Sequence, residues 1–146
     1  MAKNPTNNLE SRQYKSGPDI PMIMRKPTIY IAGPMRGYED GNFPAFDRQA
    51  EVLEKQGWRV INPADMDRQD GSPPGGHLEF DPATDYDDRE FMREALERDL
   101  VAICKDCTAI YMMSDWETSR GAKAEWHTAK AVGLEIYYEA PLPKKD

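Results

Sequence analysis

The sequence is poor in the residues that most metal and redox chemistry needs, with two cysteines and two histidines in 146 residues. The cysteines form Cys104-Lys105-Asp106-Cys107 at the end of a helical pattern. A redox pair usually opens a helix instead, where the N-terminus lowers the thiol pKa. Zinc would need further ligands, and only His77 and His127 could supply them as imidazoles. Two packing thiols in a reducing compartment are expected, with no metal and no cofactor. Positive charge is also short: 19 Lys and Arg against 26 Asp and Glu leave a net charge of −7. That balance argues against a nucleic-acid polymer or an anionic membrane as partner, but not against a small anion in a local pocket. No apolar run could span a bilayer. Met22-Ile23-Met24 is too short for a signal-peptide core, so a cytoplasmic location is expected. GxGxxG, the Walker A loop and the EF-hand spacing are missing as well.

What is present alternates between strand and helix patterns. Residues 1–26 are polar and aperiodic and read as a flexible arm; residues 27–140 make one domain, and 141–146 a tail. Thr28-Ile29-Tyr30-Ile31-Ala32 is a short apolar β-prone run, followed by the tight loop Gly33-Pro34-Met35-Arg36-Gly37. Asn42 is placed to cap a helix with the stripe Phe43, Phe46, Ala50 and Leu53, closed by Gly57. Trp58–Ile61 is a second strand, and residues 64–85, rich in Asp, Gly and Pro, read as a long loop. A helix from about Asp87 to Ile103 carries Met92, Leu96, Leu100 and Ile103, with Arg93–Glu97 and Glu94–Arg98 as solvent-side pairs. Thr108–Met113, the helix Ser119–Gly133 and the strand Leu134–Tyr138 complete the pattern. The alternation predicts an α/β fold: a Rossmann/flavodoxin-like three-layer sandwich on a parallel sheet of four or five strands. Its ligand site should lie beyond the C-terminal strand ends, where strand order reverses.

Two carboxylates stand where core residues belong. Glu125 shares a helix face with Gly121, Ala122, Thr128, Ala129 and Val132, whereas Lys123, His127 and Lys130 occupy the wetter side. Asp99 interrupts the stripe between Leu96 and Ile103. A carboxylate in such a position is costly unless something pairs with it, or else it reaches water at a rim. The Gly33–Gly37 loop could offer backbone N–H groups and Arg36 to an anion, and Ser119 with Gly121 at a helix start is a second anion candidate, or a plain N-cap. Trp116, Tyr38 and Phe43 could stack on a base, or pack.

These residues carry a resemblance. Thr28 through Gly37, Arg98-Asp99, and Ser119-Arg120-Gly121-Ala122-Lys123-Ala124-Glu125 resemble, in that order, segments of the nucleoside 2-deoxyribosyltransferase-like superfamily, in particular small bacterial or phage-borne proteins of the DUF4406 group. The resemblance implies that Glu125 is the nucleophile at C1′ of a (deoxy)ribosyl group, oriented by Tyr30, and that Asp99 positions the sugar or protonates the leaving base. It implies that Ser119 and the Gly33–Gly37 loop bind a 5′-phosphate, as in the nucleotide N-glycosidase branch. The expected activity is hydrolysis of a (deoxy)nucleoside 5′-monophosphate to free base and sugar phosphate, in a bacterial or phage-infected host cell. A base-exchanging deoxyribosyltransferase, a non-catalytic nucleotide sensor and a structural α/β protein are the alternatives. A homodimer or higher homo-oligomer is also expected, with Met112, Met113, Trp116, Tyr137 and Tyr138 as interface candidates.

Overall fold

Period-two alternation in the first strand sets up both cores. The structure is a computed structural model that describes residues 27–70 and 86–140. The arm at 1–26, the tail at 141–146 and most of the expected long loop lie outside the described residues. The chain runs β1 (Thr28–Ala32), α1 (Phe43–Lys55), β2 (Arg59–Ile61), α2 (Pro63–Gln69), α3 (Tyr86–Asp106), β3 (Ala109–Met112), α4 (Arg120–Ala131) and β4 (Glu135–Tyr138). The four strands are all parallel, in the order β2-β1-β3-β4. This is the expected Rossmann/flavodoxin-like arrangement, and strand order reverses between β1 and β3.

Ile29 and Ile31 of β1 point to one face of the sheet, where Phe43, Phe46, Ala50 and Leu53 of α1 cover them. Tyr30 and Ala32 point to the other face, beneath Ile103 of α3 and Ala122 and Ala129 of α4. This is the alternation that a strand buried on both sides requires. Tyr30 therefore projects into the layer between the sheet and the helix pair α3–α4.

Local chemistry fixes the element ends. Ser119 caps α4, its Oγ accepting from the Ala122 N–H at 3.1 Å, and Gly133 ends that helix with φ of 79°. Asn62 caps α2, its side chain accepting from the Ala64 N–H at 3.0 Å.

Four expectations need correcting. Asn42 does not cap α1: it sits in the left-handed region at φ 61° and donates Nδ2–H to the Pro34 carbonyl at 2.8 Å, tying the helix start to the loop after β1. The stretch read as a loop from residue 64 is helical through Gln69, because Asn62-Pro63 supplies a cap followed by a proline in the first turn. Met112 and Met113 are buried core residues, not interface candidates, since β3 is an interior strand. Of the two free cysteines only Cys107 packs, its thiol pushed up to about 12 by burial, while Cys104 is exposed.

Candidate active site

The reversal point between β1 and β3 is crowded. A Cβ built on Gly33 would lie 2.9 Å from the Cβ of Met113, closer than real side chains approach. Only glycine lets the loop after β1 leave its strand beside the end of β3. Beyond it, Pro34 is buried, Met35 packs against the α1-side core, Arg36 is half-buried, and Gly37 turns the chain with φ of 82°. Left-handed backbone recurs at this edge, at Asp40 and Asn42 before α1 and at Asp115 after β3. The Tyr38 hydroxyl bridges the two loops by donating to Asp115 Oδ2 at 3.3 Å.

Beneath these loops lies a buried ionisable cluster. Tyr30 is fully buried and donates its hydroxyl hydrogen to Glu125 Oε2. Glu125 is 6% exposed, and Asp99 of α3, 8% exposed, lies close enough for its charge to act on the Tyr30 hydroxyl. The local causes are plain. Tyr30 reaches this layer through the β1 alternation, and Glu125 lies on the packing face of α4 with Ala122 and Ala129. Asp99 lies three residues after Leu96 and four before Ile103 on α3, in the stripe that faces the sheet.

Burial raises all three groups. Glu125 is held well above the ordinary carboxylate range, first by desolvation and then by the charge of Asp99. Asp99 is pushed up to about 6 by desolvation, against the pull of Arg98. Tyr30 is raised by burial and by both carboxylates. Both carboxyls are thereby biased toward their protonated forms relative to separate carboxylates.

Sequence reasoning missed two members. Asp67 of α2 is 7% exposed and its charge raises both Glu125 and Asp99. Arg98 is the second, and its spacing from Glu94 predicts a solvent-side pair. It is instead half-buried, and reaches Asp67 Oδ1 at 2.9 Å, Asp70 Oδ2 at 2.5 Å and Asp99 Oδ1 at 2.8 Å. The only available signal was the Arg98-Asp99 dipeptide, since the partners on α2 and just past its end lie about thirty residues away in a stretch without periodicity.

The remaining candidates divide. Ser119 and Gly121 open the first turn of α4, and a Cβ on Gly121 would meet nothing closer than Ser119 Oγ at 3.9 Å, so there is room above that turn. The Ser119 oxygen accepts the cap bond, while its hydrogen can still donate to an anion. Trp116 is stacked on Trp126, with ring centroids 5.5 Å apart, and the Trp126 indole donates to the Tyr138 hydroxyl. Phe43 is buried in the α1-side core beneath the Arg68 guanidinium, so its ring is spent on packing. Among the described residues no group of three or more His, Cys, Asp and Glu is placed to hold a metal ion; Asp67, Asp70 and Asp99 are gathered on Arg98 instead. Among the same residues no helix is long and apolar enough to cross a membrane.

Fold and site together define a small doubly wound α/β protein with a buried tyrosine–carboxylate cluster under the topological switch point. The chain belongs to the DUF4406 family, a domain of unknown function, whose model matches residues 27–138. No curated protein matches it.

Proposed function

We propose that this protein is a nucleotide N-glycosidase, a member of the nucleoside 2-deoxyribosyltransferase-like superfamily that cleaves a (deoxy)nucleoside 5′-monophosphate. The observation that carries the reading is the buried Glu125 carboxylate, held by the buried Tyr30 hydroxyl with Asp99 beside it. A dry cluster of carboxylates is costly in a structural protein and useful where positive charge develops. Breaking an N-glycosidic bond makes such charge at C1′. Glu125 attacks C1′ and forms a glycosyl ester while the C1′–N bond breaks and its electron pair leaves with the base. The cluster reacts in the form in which its shared proton sits on Asp99 while the Tyr30 hydrogen bond keeps Glu125 ionised, and Asp99 delivers that proton to the base. Water then cleaves the ester, giving its proton to Asp99 and releasing sugar 5-phosphate, and Glu125 returns as carboxylate. The phosphate would rest on the Gly33–Gly37 loop and the start of α4, where Ser119 and backbone N–H groups face an anion.

Incubation with a panel of nucleoside monophosphates, read as free base by chromatography, tests this. Binding of a nucleotide with no base released after long incubation would favour the sensor; transfer of the sugar to an added second base would favour the transferase.

We also infer that two copies associate through the β4 edge, where Tyr138 is 54% exposed and Tyr137 is exposed beside it. Light scattering at micromolar concentration should give a dimer or larger; a clean monomer mass would count against it.

A further inference from the structure

Arg98 is unusual in how it spends its donors. Its Nε and Nη2 both contact Asp99 Oδ1, at 2.9 and 2.8 Å, while Nη1 and Nη2 reach across to Asp70, just past the end of α2, and to Asp67 on α2. Both contacts fall on one Asp99 oxygen, and the carboxyl lies beside the Tyr30 hydroxyl. Arg68 straps α2 from its other side, contacting Asp47 of α1 and Asp65. The short helix α2 is thus tied to both helical layers, and the tie to α3 passes through the residue next to Asp99.

We propose that Arg98 is a positioning residue of the site: it fixes Asp99 through one oxygen, leaves the other for the reaction, and locks α2 onto α3 as a wall of the cluster. This rests on the role given above to Asp99. A fork that binds two partners at once is a property of arginine, not of lysine. The charged groups facing Asp99 are Arg98 on its own helix, Asp67 on α2, Asp70 just past the end of α2, Glu125 on α4 and Tyr30 on β1. Arg98 supplies the positive charge among them, and Asp67 adds to the negative. Opposite perturbations of Asp99 and Glu125 therefore follow from removing one or the other.

The test is carboxyl-carbon NMR titration of Asp99 and Glu125 in the full chain, assigned with Glu125→Gln, alongside the pH profile of base release. In Arg98→Met both midpoints should rise by about one to three pH units, and the bell of the rate profile should move up with them. In Asp67→Asn, which keeps an oxygen for Arg98, both should fall. Arg98→Lys should lie between wild type and Arg98→Met. A merely structural arginine would lower stability without raising both midpoints in the Arg98 variants and lowering both in Asp67→Asn. If Arg98→Met does not fold, raised midpoints in Arg98→Lys with lowered ones in Asp67→Asn carry the same result. Folded Arg98→Lys and Asp67→Asn proteins that both titrate like wild type overturn the proposal. A wild-type protein that releases no base from any nucleotide removes the glycosidase reading, while the titration still decides whether Arg98 governs the cluster.

Discussion

The Tyr30 hydroxyl and the Glu125 carboxylate, 95 residues apart in the chain, share a hydrogen bond in the layer between the sheet and its helix pair. The bond favours the ionised form of Glu125, while burial opposes it. Tyr30→Phe keeps the ring and removes the donor. Glu125 should then titrate higher, and the acid limb of base release should move to higher pH. The loss of one hydrogen bond to a charged group predicts a fall in kcat of roughly tenfold to a hundredfold. An unmoved acid limb would count against Tyr30 as the group that holds Glu125 ready.

Glu125→Gln should abolish base release, by about a thousandfold or more, and should also stabilise the protein in alkaline solution. Glu125 and Asp99 both titrate above their unfolded values, so the folded state binds more protons between the two values. The stability they contribute is intact below about pH 4. It is lost as pH rises through the raised values of the two groups, about 6 for Asp99. The amide carries no charge to lose. Tm should rise by roughly 4 °C or more at pH 8 and by less at pH 5. Thermal melts at the two pH values check this, and equal shifts would contradict the linkage.

Ser119→Asp should leave α4 capped, because Asp is as good an N-cap as Ser. It would set a carboxylate where phosphate is proposed to rest. The preference for a monophosphate over its free nucleoside should fall by at least about tenfold. A wild-type protein that turns over both equally would remove the basis of this prediction.

Gly33→Ala should destabilise the protein by about 1–3 kcal/mol, the usual cost of overpacking. The new methyl meets the Met113 Cβ, which is anchored to the backbone of the β3 end and cannot swing aside. Denaturant melts measure it. A neutral result would mean that the two loops can part without penalty.

Much of this was readable in the sequence because short-range pattern and long-range packing agreed. Ile29, Tyr30 and Ile31 announced a strand buried on both faces, and Glu125 and Asp99 stood out as charges on apolar stripes. The structure brings both together with Tyr30. Arg98 was misplaced because Glu94, four residues before it, offered a sufficient local partner. Three carboxylates brought close by folding outcompeted that exposed pair, whose worth is a few tenths of a kcal/mol. Helix α2 was hidden by its composition: seven residues rich in Asp show no apolar stripe, and its order comes from the Asn62 cap and the two arginines. Phe43 was legible as core from the stripe it shares with Phe46, Ala50 and Leu53, and only its place in the first turn of α1 beside the loop left a stacking role open.

The spread of the site over β1, α2, α3 and α4 also sets an order of assembly. β1, β2 and α1 all lie before residue 62, although Ala64, Ala109 and Met113 complete the core they share. Tyr30 gains its carboxylate only when α4, near the C-terminal end of the domain, docks on the far face. During synthesis the first half emerges before the carboxylates whose repulsion is stored in the finished protein. If α4 docks late, that repulsion is met after the main barrier. Relieving it with Glu125→Gln should slow unfolding and leave the folding rate nearly unchanged, which stopped-flow kinetics would show as a shift in one arm of the chevron alone.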